Sequence, residues 1–306
     1  MMKIIFHGVR GSHTAAKKEM MKYGGNTLCV EMVKKNKNGI MVPLVIDGGT
    51  GIIDLGRSLI VKIADREYSA TFPILFTHYH TDHIEGFKFF KPLFLKACTV
   101  HLFGMQAEDK TVESILQQSI EPPIFPLEFY DFKASCKPHS LKDGDVFYIS
   151  QEGNPAWHKN DPLYEIHVMR AYVPSHPKQG VLYYKIIDCE DGVSVACVWD
   201  IESHSGGDSR VINFIQGSDV LIHDAQYTDE EYQSRAVPVQ GFGHSTYSMA
   251  IENAREAQVR YLIPIHYSPS HDDAFLDEVY EQNADKYPFG FIMSREGLTL
   301  KAVKEK

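Results

Sequence analysis

Short apolar, β-branched runs recur along the chain and end repeatedly on a side chain able to bind a metal. Val42–Ile46 ends at Asp47, Phe72–Thr77 at His78 and Val193–Trp199 at Asp200. Val220–Ile222 leads to His223 and Asp224, and Tyr261–Ile265 leads to His266. Val168–Val173 is followed, after a Pro-Ser step, by His176. Runs of about four to eight such residues predict buried strands. Strand ends that face one way build a common crevice, and six coincidences of this kind predict that these ends converge.

Helical patterns fill the intervals. Ile84–Lys96 is rich in Phe and Leu, and Glu108–Ile120 is amphipathic. Tyr247, Ala250, Ile251, Ala254 and Ala257 recur at helical spacing after Ser245 and Thr246, which suit an N-cap. Asp272–Tyr287 opens on an acidic pair suited to a helix N-terminus. Strands alternating with helices predict an α/β fold, with sheets covered by helices. The prolines of 121–132 oppose a helix and predict an extended connector between two halves. Stretch 150–165 reads as irregular.

Composition narrows the class. The 306 residues include 43% hydrophobic and 23% charged side chains, which excludes a disordered or fibrous chain. With 31 Lys+Arg against 40 Asp+Glu the net charge is −9, which disfavours long nucleic acid as a partner. The five cysteines are scattered without a Cys-x-x-Cys pair, as expected of a reducing cytosol. The N-terminus does not read as a signal peptide, and no apolar run approaches the roughly 20 residues that span a bilayer. A cytoplasmic protein without membrane contact is the expectation.

The densest chemistry lies in Thr77-His78-Tyr79-His80-Thr81-Asp82-His83. Neutral imidazoles and a carboxylate are ligands that borderline divalent metals prefer. His78 and His80 are two apart on a strand-to-loop turn and can point the same way, whereas Asp82 and His83 face a second position as the chain enters the next helix. Four ligands in six residues exceed the needs of one open site, so two metals are the economical reading.

His78-x-His80-x-Asp82-His83 resembles the signature of the metallo-β-lactamase superfamily of binuclear hydrolases. The resemblance implies an αββα sandwich, two central β-sheets flanked by helices, and it covers essentially the whole chain, so 1–306 is expected to form a single domain. It also implies that His78, His80 and His176 bind one divalent ion, that Asp82, His83 and His266 bind a second, and that Asp200 bridges them. Zinc is the expected metal, with manganese or iron as alternatives.

Gly8-Val9-Arg10-Gly11-Ser12, Tyr23-Gly24-Gly25-Asn26-Thr27 and Asp47-Gly48-Gly49-Thr50-Gly51 are similar to motifs of a phosphodiesterase-like branch. That branch includes ribonuclease Z, PhnP-type phosphodiesterases and class II cyclic-nucleotide phosphodiesterases. By the same resemblance Asp224 and His244, in Gly243-His244-Ser245-Thr246, form a dyad that protonates the leaving oxygen. Asp82 would orient the nucleophile, a hydroxide bridging the two metals. A relative-based expectation of a homodimer follows as well.

Blander readings stand beside these. The glycine-rich stretches read equally as turns. Asp47 reads better as a partner orienting a ligand histidine than as a ligand, and His223 as a packed histidine. His7, His13, His101, His139, His158, His167, His204 and His271 have no supporting context. No motif supports a Ser or Cys nucleophile.

The expected function is therefore hydrolysis of a small or cyclic nucleotide-type phosphodiester. The nearest alternative is a ribonuclease Z-like RNA endonuclease. Such enzymes commonly insert a long arm between the third-motif histidine and the bridging aspartate, and only 23 residues separate His176 from Asp200 here. A lactonase or thioesterase is a second alternative, disfavoured by the dyad, and a non-enzymatic metal-bound scaffold a third, disfavoured by the full ligand set. Two divalent cations outweigh Asp82, Asp200 and a hydroxide, so an acidic chain can still present a locally positive crevice to a small phosphate.

Overall fold

A computed structural model describes residues 1–106, 109–171, 180–204, 206–287 and 290–304. His176 lies outside the described residues, as does Glu108. The first half of the chain builds strands β1 (Met2–Gly8), β2 (Cys29–Lys35), β3 (Met41–Ile46), β4 (Thr71–Leu75), β5 (Thr99–Met105) and β6 (Ser135–Leu141). The second half builds β7 (Val146–Ile149), β8 (Pro155–Ala156), β9 (Tyr164–Ala171), β10 (Val181–Asp188), β11 (Ser194–Val198), β12 (Val220–Asp224) and β13 (Tyr261–Ile265). A last strand, β14 (Thr299–Ala302), returns to the first half.

Two sheets result, ordered β14-β1-β2-β3-β4-β5-β6 and β13-β12-β11-β10-β9-β7-β8. Each is mixed. Pairing is antiparallel from β14 to β3 and parallel from β3 to β6. The second sheet is parallel from β11 to β13 and antiparallel beyond β11. Burial follows this division. Strand β1 alternates buried and half-buried positions, whereas β11 and β12 are buried throughout. Parallel strands covered on both faces need such continuous apolar runs.

Among the described residues seven helices flank the sheets: α1 (Ile52–Ala64), α2 (Thr81–Ile84), α3 (Val112–Gln118), α4 (Ser209–Ile215), α5 (Asp229–Gln233), α6 (Tyr247–Glu256) and α7 (Asp273–Asn283). Ile52, Leu55 and Leu59 of α1 share a cluster with Phe72 and Ile74 of β4 and with Val112 and Leu116 of α3. A second cluster runs between the sheets, from Phe6 and Ile46 to Tyr184 and Val198, and takes in Ile251 and Ala254 of α6. The architecture is thus α/β, two sheets face to face with helices outside.

Three element boundaries differ from the sequence pattern. The helix expected over 84–96 is short α2 followed by two 3₁₀ turns, Phe87–Phe89 and Lys91–Phe94. The break falls at Phe90, which is extended, just before the Lys91-Pro92 pair that disfavours helix. Segment 121–132 is not a connector between halves. It lies between α3 and β6 of one sheet and contains a 3₁₀ turn, Phe129–Asp131, while the passage between sheets is the turn 142–145. Stretch 150–165 holds the β7–β8 hairpin, in which Tyr148 pairs with Ala156. Helix α6 starts where expected, with the Thr246 hydroxyl accepting from the Met249 N–H at 3.3 Å.

Candidate active site

Parallel strands β3, β4, β11, β12 and β13 deliver their carboxyl ends to one crevice. Several of these strands stop by means of a left-handed residue that is not glycine. Asp47 follows β3 with φ 60°, Asp200 follows β11 with φ 57°, and His266 follows β13 with φ 68°. Ser12, near the end of β1, has φ 64°. Side chains rarely adopt this conformation except where the surrounding structure enforces it, and such residues concentrate at functional sites. Here they turn the chain out of the sheet and leave a polar side chain in the crevice.

Two donor groups face each other across Asp200. His78, His80 and Asp200 form one, and Asp82, His83 and His266 the other, with ligand atoms in each within 4.8 Å of one another; Asp200 and His266 also gather with Asp224 and His244 at the same spacing. Asp200 Oδ2 lies 3.3 Å from His78 Nε2, and Asp200 Oδ1 lies 3.2 Å from His83 Nε2 and 3.3 Å from His266 Nε2. Asp82 Oδ2 lies 3.4 Å from His83 Nε2 and 3.2 Å from His266 Nε2. One carboxylate thus touches both groups. Six of the seven residues singled out for metal binding come together, the seventh being His176.

The donors fit a divalent cation. Among the described residues His83 Nε2, though buried, has no hydrogen-bond partner, while two carboxylates stand 3.2 and 3.4 Å from it. The same arrangement sets the charges of the ion-free residues. Burial lowers the His266 imidazolium, but Asp200, Asp82 and Asp224 overcome it and lift its pKa to about 9. Burial opposes the charged form of Asp82 too, yet His83 and His266 hold it well below the usual carboxylate range. Burial, helped by the neighbouring His83, pushes His78 well below the ordinary histidine value. The carboxylates thus make this pocket favour positive charge, as a site for a divalent cation must.

A second layer fixes the ring orientations. Asp47 Oδ2 lies 2.8 Å from His83 Nδ1 and also accepts from the Trp199 indole at 2.8 Å and the Thr77 hydroxyl at 2.8 Å. With Nδ1 held, Nε2 is left to face the crevice. Asp47 thus orients one member of the donor set. Gln226 does the same for His266, its Oε1 lying 2.8 Å from Nδ1. The sequence pattern did not single out Gln226, and its position two residues past Asp224 is the one signal that could have found it. The Ser12 N–H donates to Asp82 Oδ2 at 2.7 Å. Its neighbour Gly11 has no room for a side chain, since a Cβ there would lie 2.2 Å from the His266 ring.

Asp224 is saturated by other partners. Its Oδ2 accepts from the Asp200 N–H at 2.9 Å and lies 2.9 Å from His244 Nδ1, and its Oδ1 accepts from the Ser245 N–H at 3.1 Å. His244 stacks on His266 at 4.7 Å between ring centroids and lines the cleft. The cleft measures about 390 Å³ and is walled by Ser12, Tyr79, His80, Thr81, His244 and His266 above the two aspartates. Strand β5 supports the cleft wall from outside, the Met105 carbonyl accepting from the Tyr79 hydroxyl at 2.6 Å. His223 is a packed histidine, bonded to Asn253 at 3.0 Å.

Comparison with known proteins agrees with this geometry. Residues 44–267 match the family model described as beta-lactamase superfamily domain. Ribonuclease Z of Myxococcus xanthus is 27% identical over 232 residues, 65% of this chain and 71% of its own length. Among solved structures, unliganded yeast PDE1 superposes with a TM-score of 0.66 at 14% identity, covering 98% of this chain and 99% of that one. A diphosphatase from the PhnP family superposes with a TM-score of 0.63 at 15% identity over 98% of both chains. At those identities the superpositions speak for the fold alone.

Proposed function

The chain belongs to the beta-lactamase superfamily and is a metal-dependent hydrolase of its phosphodiesterase and nuclease branch, and we propose that it cleaves a small or cyclic nucleotide-type phosphodiester. The observation that carries this reading is the His244–Asp224 pair beside the two donor groups. Two divalent ions, zinc by preference, would be held by His78, His80 and His176 on one side and by Asp82, His83 and His266 on the other, with Asp200 between them. Such ions, when bound, lower the pKa of water towards about 7 and neutralise phosphate charge.

The protein's own residues supply the rest. Asp82, fixed by the Ser12 N–H, can accept a hydrogen bond from the attacking water and orient it. Asp224 takes the Nδ1 proton of His244 in a hydrogen bond, which leaves Nε2 to face the cleft and give its proton to the departing alkoxide. An acyl leaving group needs less of that help, which favours a phosphodiester over a lactone.

A second reading, RNA endonuclease, is favoured by the name of the Myxococcus relative. Against it, residues 181–198 are spent on the paired strands β10 and β11, which leaves no room for an inserted arm there. The described cleft lining also contains no Lys or Arg. The test is a parallel assay of bis-p-nitrophenyl phosphate, a 3′,5′-cyclic nucleotide, a precursor tRNA and a lactone, with zinc and with manganese. Turnover of the two small diesters is the expected result. Cleavage of precursor tRNA alone would establish the second reading, and turnover of the lactone alone would overturn both.

A further inference from the structure

His244 reaches the cleft from a segment that has little packing of its own. Val237 and Phe242 are 70% and 55% exposed, and the backbone is left-handed at Gly241 (φ 85°) and Gly243 (φ 88°). Glycine permits that conformation but also loses the most freedom when it is ordered. Some contact must therefore hold the segment, and the structure has one. Glu202 Oε1 accepts from the Gly241 N–H at 2.7 Å and from the Tyr232 hydroxyl at 2.7 Å, while its Oε2 accepts from the Gly243 N–H at 2.9 Å. A carboxylate gripping the backbone N–H groups on either side of Phe242 makes charge-assisted bonds, stronger than neutral ones.

The grip begins where the metal-facing strand ends. Asp200 donates its N–H to Asp224, the Ile201 carbonyl accepts from the Ser245 hydroxyl at 2.6 Å, and the Ser203 N–H donates to the same hydroxyl at 3.1 Å. Three consecutive residues, Ile201, Glu202 and Ser203, thus hold the segment on both sides of His244, and Asp200 just before them binds Asp224, the partner of His244. We infer that Glu202 is a positioning residue for His244: it fixes the glycine turn from which the imidazole is aimed at the leaving oxygen. The inference rests on the reading of His244 as proton donor.

The experiment uses the metal-loaded full chain and the variants Glu202→Ala, Glu202→Gln, His244→Ala and Glu202→Ala/His244→Ala. Two substrates differ in leaving group, a 3′,5′-cyclic nucleotide that releases a ribose alkoxide and bis-p-nitrophenyl phosphate that releases a stable phenolate. Glu202→Ala is expected to lower kcat on the cyclic nucleotide by about ten- to a hundredfold, the cost of a misaimed group, with KM nearly unchanged. The loss on the phenolate ester should be much smaller. Glu202→Gln keeps one carbonyl acceptor and should fall between, and it serves if the alanine variant does not fold. Metal content should stay at the wild-type level, and amide exchange across 241–243 should quicken. In the His244→Ala background the Glu202 change should cost nothing more.

Equal losses on both substrates, loss of metal, unchanged exchange, or losses that add in the double variant would each overturn the inference. A leaving-group contrast in His244→Ala that is missing from Glu202→Ala overturns the inference alone. Absence of the contrast in His244→Ala itself overturns the proton-donor reading and this inference with it.

Discussion

Two pairs of histidines in this molecule behave in opposite ways. In the crevice, His83 and His266 stand against Asp82 and Asp200, and His266 is lifted to about 9. Behind it, His101 of β5 and His139 of β6 meet at 2.9 Å, with Asn154 3.2 Å from the far nitrogen of His101. No carboxylate touches that pair among the described residues. His139 lies flat on Phe103 at 4.5 Å, and Phe103 on Phe147 at 4.6 Å. There burial drives His101 down to about 4, the nearby His139 adding to the fall and Asn154 opposing it. Histidine content alone does not make a cation site. Carboxylates among the imidazoles do, because they turn the pocket's demand from neutral rings to positive charge.

The largest effect should come from removing the carboxylate common to both donor groups. Asp200→Ala is expected to abolish turnover and to lose metal together, measured by elemental analysis of the purified protein beside its kcat. His101→Gln should leave both untouched. If Asp200→Ala kept its full metal content, the contrast between the two histidine groups would fail.

His244→Ala should come next. It gathers with Asp224, 2.9 Å from its Nδ1, and is not needed by the groups around His78 and His83, so metal should remain while kcat on an alkoxide-leaving diester falls by roughly 10²–10⁴-fold. A smaller loss is expected of Gln226→Ala, which releases His266 Nδ1. Metal affinity should drop by about ten- to a hundredfold, read from competition with a chromophoric chelator. Unchanged affinity would mean that the His266 ring is held by packing alone.

Legibility from sequence divides along the same line. Strands such as β12 and β13 could be read because central parallel strands need unbroken apolar runs, and their polar endings stood out against them. The edge strand β6, Ser-Cys-Lys-Pro-His-Ser-Leu, carries no such run and is half exposed, so nothing in its pattern announced a strand. Residues from His78 to His83 could be read because they are consecutive. Gln226, Ser12 and Glu202 could not, because each acts through a contact made across the fold. Gln226 and His266 are 40 residues apart, and Ser12 and Asp82 are 70. An amide or a backbone N–H carries no signature until tertiary structure gives it a partner.

The smallest effect concerns the His101–His139 pair. In the folded chain His101 takes up its proton near pH 4, whereas an unfolded histidine does so near 6.5. Above pH 6.5 neither state carries the proton and the pair's contribution to stability is complete. Between 6.5 and 4 the unfolded chain binds a proton that the folded chain refuses, so stability declines as the pH falls, and below 4 the loss levels off. His139 is displaced in the same direction by burial and by Lys137 and should deepen the decline. Thermal midpoints of wild type and His101→Gln, compared at pH 7 and pH 5, isolate this term because contributions from the crevice are common to both. The gap between the two proteins should shift in favour of the variant at pH 5. A gap that stays constant would show that the β5–β6 pair is already solvated, and that burial without carboxylates does not govern these two rings.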